Sequence, residues 1–146
     1  MKKIVGFVGL AFLPLVIACS SMAPKETRQW QPTAVTDFKN VAGKWEGLLV
    51  RNPRTPDDDW VTLVIGDTGT YEFVSYRLIG VFGGKGKLVL SDGKLSARSE
   101  KGSQMTLQLY ADPASTERML KVDAKDSEGY TYAGELKRTG GSGATR

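Results

Sequence analysis

The 146-residue chain contains no histidine and a single cysteine, Cys19. Without imidazole there is no histidine general base and no Ser-His-Asp triad, and with one sulfur ligand there is no N/S zinc site. A lone cysteine also excludes an intrachain disulfide, so an exported domain of this sequence must be held by its core alone. No run of basic residues interleaved with aromatics occurs: 20 Lys and Arg are scattered among 16 Asp and Glu. The electrostatic footprint of a nucleic-acid binder is therefore missing. The one long apolar stretch, Ile4 to Ala18, is 15 residues, short of the roughly 20 that a membrane-spanning helix needs. No segment carries a sustained helical period.

What is present begins with targeting. Lys2 and Lys3 precede the apolar stretch, which only Gly6, Gly9 and Pro14 interrupt. A charged start, a short apolar region and a small residue at its end read as a signal peptide over residues 1–18. Val16-Ile17-Ala18-Cys19 resembles the lipobox of bacterial lipoproteins. The resemblance implies lipidation at Cys19: diacylglycerol on the thiol, cleavage just before it, and a fatty acyl group such as palmitate on the new amine. Ordinary secretory cleavage after Ala18 is the other reading, but it leaves an unpaired thiol in an oxidising compartment. Ser20, where inner-membrane lipoproteins carry Asp, implies the periplasmic face of the outer membrane if the cell has two membranes. Losing Lys2 and Lys3 lowers the formal charge from +4 to +2, so the basic balance of the whole chain is no argument for nucleic acid.

The mature chain divides by composition. Residues 19–36, rich in Ser, Thr, Pro and charge, read as a lipidated flexible tether reaching roughly 20–25 Å. Residues 139–146 read as a disordered Gly/Ser tail. Between them, 37–138 suffice for one domain with a real core and are too few for two. Short alternating runs separated by turn residues place strands at 44–51, 60–65, 70–77, 86–90, 95–99, 104–110, 118–124 and 130–137. Gly66-Asp67-Thr68-Gly69 and Ser91-Asp92-Gly93-Lys94 are the strongest hairpin signals. About eight strands without helices imply an all-β domain, a sandwich or a small antiparallel up-and-down barrel.

Alternation is clean in the last three strands, where Met105, Leu107, Leu109, Leu120, Val122, Ala124, Tyr130, Tyr132 and Leu136 share the expected core face. The first three are apolar on both faces. Trp45, Leu49, Val61, Leu63, Ile65, Tyr71 and Phe73 take one side, and Leu48, Val50, Trp60, Val64, Val74 and Tyr76 the other. The second side needs a cover. The N-terminal segment carrying Trp30, Val35 and Phe38 is the expected one, with a second copy or a partner as alternatives.

Thr36 to Trp45 resembles the opening of lipocalins and related calycins, in which a short helical turn closes the barrel base and Gly-x-Trp begins the first strand. Here Gly43-Lys44-Trp45 supplies the motif. The resemblance implies a basic residue from the last strand stacked on the tryptophan and bonded to carbonyls of the closing turn, and Arg138 holds that position. Gly43, Trp45 and Arg138 are thus the expected barrel-closure residues. The Thr-Asp-Tyr motif and the long C-terminal helix of lipocalins are missing, so the resemblance is to a lipocalin-like small barrel.

An eight-stranded interior can be filled by side chains or hold one small molecule, and the bulky inward residues favour filling. The mouth opposite Trp45 is expected to be rimmed by 52–59, 80–87 and the turns near Asp112 and Glu128. Asp57-Asp58-Asp59 lacks the spaced ligands of a calcium loop and reads as a solvated acidic turn. Gly80 to Lys87 lacks the Ser/Thr and the helix of a phosphate loop. Glu72 and Glu135 as a carboxylate pair have nothing in their favour. The expected function is a non-catalytic membrane-anchored module without metal or cofactor. It uses the apolar outer surface, with Trp60, Val64, Val74 and Tyr76 as contacts, against an envelope protein. The alternative is a small apolar ligand or lipid held at the mouth by Trp45, Tyr71, Phe73 and Tyr130.

Overall fold

The computed structural model describes residues 28–52, 58–75, 84–99 and 102–140. The expected signal peptide, Cys19, the first part of the expected tether, Tyr76, Gly80 to Gly83, Asp57 and residues 141–146 lie outside them. Ten strands follow in order: β1 (Gln31–Thr33), β2 (Gly43–Asn52), β3 (Asp59–Ile65), β4 (Thr70–Ser75), β5 (Gly84–Lys87), β6 (Val89–Ser91), β7 (Lys94–Arg98), β8 (Gln104–Ala111), β9 (Arg118–Lys125) and β10 (Thr131–Thr139). One 3₁₀ turn, Phe38–Asn40, precedes β2. The sheet runs β5-β4-β3-β2-β10-β9-β8-β7-β6, antiparallel throughout, and β1 pairs with β8. The protein is an all-β, nearly closed antiparallel barrel.

Closure depends on one buried residue. The single strand expected at 86–90 is divided at Leu88, which is 2% exposed and donates its backbone N–H to Gly69 O at 2.8 Å. Before it, β5 bonds to β4; after it, β6 bonds to β7. The two ends of the hydrogen-bonded path are therefore consecutive pieces of chain, and the sheet curls almost fully onto itself. Asp92 and Gly93 both take positive φ, 50° and 72°, the type I′ geometry that joins β6 to β7 without splaying them. At the β2–β10 seam, Gly47 is required by close approach: a Cβ there would lie 2.0 Å from Glu135 O.

The meander fixes which turns share an end. β2 starts, and β10 finishes, at the end that also holds the 66–69, 92–93 and 112–117 turns. The opposite end, the mouth, holds the chain between β2 and β3, between β4 and β5, the 99–103 turn and the 126–130 turn. The turn at Asp112 therefore belongs to the Trp45 end, not to the mouth. The sequence placed it by composition; strand direction, which alternates with every turn, decides otherwise.

The barrel interior is solid. Trp45, Val61, Leu63, Leu95, Leu107, Leu120 and Leu136 are fully buried, and Leu49, Ile65, Phe73, Met105, Val122 and Tyr132 nearly so. The tether also joins the fold earlier than its composition suggests. β7 leaves β8 at the Leu95–Leu107 pair, exposing the backbone edge of residues 109–111. Gln31, Pro32 and Thr33 occupy that edge opposite Ala111, Tyr110 and Leu109. Val35 then donates to Gly93 O at 2.9 Å and enters the core. Main-chain pairing has no side-chain period, and a proline at an edge is compatible with it.

Candidate functional site

The closed end is built around Trp45. Its indole N–H donates to Val41 O at 2.7 Å, which ties the start of β2 to the 3₁₀ turn. Asp37 caps that turn by accepting from the Lys39 N–H at 3.0 Å. Arg138 stands directly opposite Trp45 across the β2–β10 seam, its guanidinium carbon 5.8 Å from the ring centroid, and it donates to Ala42 O. Gly43 lies immediately beneath that guanidinium. A second arginine, Arg118, donates to Asn40 O at 3.0 Å. Two cations from adjacent strands thus hold carbonyls that the short turn cannot satisfy itself. Arg118 had no motif to announce it.

The mouth is organised by Asp126. One carboxylate oxygen accepts the N–H groups of Glu128 and Tyr130, each at 2.9 Å, and the other accepts the Tyr132 hydroxyl at 3.2 Å. Arg51 stacks on Tyr130 with 3.6 Å to the ring centroid. Beside them a groove of about 400 Å³ is lined by Asn52, Gln104, Thr106, Asp123, Lys125 and Tyr132 among others. Burial, with Asp126 adding to it against an opposing Arg51, raises the Tyr132 phenol above its usual value of 10. Burial raises Tyr71 as well. Both are favoured protonated in the fold, so their stabilising contribution is complete below about pH 10 and is lost as pH climbs through the raised values. Urea midpoints between pH 8 and pH 11 are expected to fall at the alkaline end, and to fall less in Tyr132→Phe; identical slopes would remove the assignment.

The third feature is the outer face of β2–β4. Leu48 and Trp60 are directly opposite one another, as are Thr62 and Val74. Leu48 is 40%, Trp60 51%, Val64 41% and Val74 43% exposed. Charged pairs surround them: Lys44–Glu46 at 2.5 Å, Lys85–Glu72 at 3.5 Å and Lys121–Glu135 at 4.0 Å. Lys44 holds the Glu46 carboxyl below its usual range. The expected cover is not there: Val35 is in the core, Phe38 packs against it, and β1 lies on β8. Trp30, Val35 and Phe38 were assigned to this face because they are apolar and nearby in sequence. The free backbone edge of β8 and the open barrel end claim that segment first.

The sequence-derived candidates distribute among these three places. Gly43, Trp45 and Arg138 come together at the closed end. Trp60, Val64 and Val74 share the outer face, and Tyr76 lies outside the described residues. Trp45, Tyr71, Phe73 and Tyr130 do not form one site. Trp45 is sealed at the closed end, Phe73 is 2% exposed within the core, Tyr71 packs against that core near Gly86, and Tyr130 stands at the mouth, 37% exposed. The acidic turn is not simply solvated: Asp59 is 5% exposed, pairs with Leu49 and accepts the Ser75 hydroxyl. Among the described residues no group of metal-ligating side chains converges, and no helix is long and apolar enough to cross a membrane. Glu72 and Glu135 are exposed, engage Lys85 and Lys121 respectively, and sit on strands separated by β3 and β2.

The arrangement defines a filled, nearly closed β-barrel with a latched end, a polar mouth and an exposed apolar flank. Comparison with protein-family models, with curated proteins and with solved structures finds no match.

Proposed function

We propose that the chain is a lipid-anchored, non-catalytic barrel of the bacterial envelope, attached through Cys19 at the periplasmic face of the outer membrane, and that it works by docking another envelope protein on the outer face of β2–β4. The observation that carries this reading is the Leu48–Trp60–Val74 surface, left uncovered over an interior already occupied by side chains. An apolar centre with a protruding tryptophan and a rim of paired charges is the anatomy of a protein interface. The Gly43-Lys44-Trp45 opening, Arg138 over the indole and the meander order support a lipocalin-like architecture for the barrel.

Capture of a small apolar molecule or lipid is the second reading, favoured by the groove beside Tyr132. Much of that groove's lining is polar and charged, however, and the barrel axis beneath it is filled. A photo-crosslinking side chain placed at Trp60 in living cells tests the first reading against an internal control at Ser96, on the exposed outer face of β7 and outside the groove lining. A discrete adduct is expected from position 60, absent from 96 and abolished by Val74→Glu. The same adducts from both positions would remove this surface from the account.

A further inference from the structure

The closed end carries a feature that a docking role for β2–β4 leaves unused. A cleft of about 800 Å³ is lined by Arg28, Glu117, Arg118, Lys137 and Arg138, with Thr116 and Gly140 at its margins. Four cations face one carboxylate, and that carboxylate is bonded to Arg28. Arg118 and Arg138 each donate to a single carbonyl of the closing turn. A guanidinium has five N–H donors, so both keep donors to spare while their position is fixed. Lys137 is exposed and has no carboxylate partner among the described residues. The other acidic residues of this end, Asp37, Glu46, Asp67, Asp92 and Asp112, do not line the cleft, and Asp112 accepts from the Ala114 N–H and the Ser115 hydroxyl within its own turn. The mouth has the opposite balance: its described turns and strand ends carry Asp58, Asp59, Asp126 and Glu128 against Arg51, Arg98 and Lys125.

Chain length adds the second observation. Arg28 lines the cleft itself, and nine peptide steps separate it from Cys19. Fully extended, nine steps span at most roughly 30 Å, and as a flexible coil roughly 15–18 Å. The pairing of β1 with β8 therefore brings the chain into the fold at the basic end, within roughly 30 Å of contour from Cys19. We propose that this cleft rests on the bilayer and binds the phosphates of anionic phospholipid headgroups, setting the barrel closed end down with its mouth turned away from the membrane. Cations held at a membrane surface are attracted to an anionic leaflet within about one Debye length, roughly 8–10 Å. The inference rests on the Cys19 anchor.

The full-length lipidated protein, reconstituted in phosphatidylcholine vesicles with or without one-third phosphatidylglycerol, tests it. Spin labels at Thr116→Cys in the closed-end turn and Ser127→Cys in a mouth turn are read by collision with a nickel-chelating headgroup lipid. Collision at position 116 is expected to rise several-fold on the anionic vesicles, to return to the neutral level in Lys137→Gln and in Arg118→Gln, and to stay low at 127 throughout. Lys137 makes no ion pair among the described residues, so Lys137→Gln remains informative if Arg118→Gln fails to fold. Equal collision at the two positions, or no response to phosphatidylglycerol or to Lys137→Gln, would overturn the proposal. So would loss of the signal to inorganic phosphate at matched ionic strength, which would make the ligand free phosphate. Absence of a diacylglycerol mass on Cys19 would remove the anchor, and this orientation with it, as a separately recognisable result.

Discussion

Cys19→Ser is expected to abolish incorporation of labelled palmitate, leave the precursor uncut and empty the outer-membrane fraction of this protein. The expectation follows from the bilayer energetics of acyl chains. Each buried methylene contributes about 0.8 kcal/mol, so one chain holds a protein only reversibly and stable anchoring needs more than one. Diacylglycerol on the thiol and a further acyl group on the amine exceed that requirement; a hydroxyl at the same position carries none of them. No described helix is long and apolar enough to span a membrane, and the apolar flank of β2–β4 holds only a few exposed side chains. Acyl labelling and membrane fractionation of the variant are the measurements. Unchanged labelling and unchanged outer-membrane recovery would end the lipoprotein reading.

Trp45→Ala is expected to destabilise the barrel by roughly 3–5 kcal/mol, the range for removing a large aromatic from a packed core. Three losses combine at this residue. The indole is 0% exposed, so its removal leaves a cavity at the base of the interior. Its N–H bond to Val41 O disappears, freeing the turn that plugs the end. Arg138 loses the ring it lies against, retaining only Ala42 O. Against the usual net stability of about 5–15 kcal/mol for a domain, the variant is expected to lose from about a fifth to all of the parent's urea midpoint. Trp45→Phe restores most of the volume without the hydrogen bond and should cost on the order of 1 kcal/mol. A loss below that in Trp45→Ala would show that the end repacks without its tryptophan.

Much of the barrel was legible because β8, β9 and β10 alternate strictly, and because Asp-Gly and Gly-rich turns separate nearly every strand. Trp45 and Arg138 were legible through the resemblance of Gly43-Lys44-Trp45 to the lipocalin opening, with the inward parity of the last strand in agreement. The rest depended on information that side-chain pattern does not carry. β1 is recruited by an unpaired backbone edge on β8, so Gln31, Pro32 and Thr33 needed no apolar residue to bind. Leu88 changes partners without interrupting an alternating run, so the corner at which the barrel nearly closes looked like one strand. Asp112 was assigned to the mouth until the direction of β8 put its turn beside Trp45. The cleft around Arg118 and Lys137 collects residues from three separate stretches of the chain, at 28, 116–118 and 137–140, and no local motif could bring them together.

The pairing of β1 with β8 also determines how the molecule responds to mechanical load. A pull on the chain ahead of Arg28 reaches Gln31–Thr33 before any other strand, and that ladder has three residue pairs against nine in the β2–β10 seam. Tension therefore detaches the short strand first, followed by Val35, and adds the released residues to the leash. The barrel proper, latched by Trp45 and Arg138, bears no force until that slack has run out. Under the proposed Cys19 anchorage, β1 would be a mechanical fuse between the anchor and the folded core.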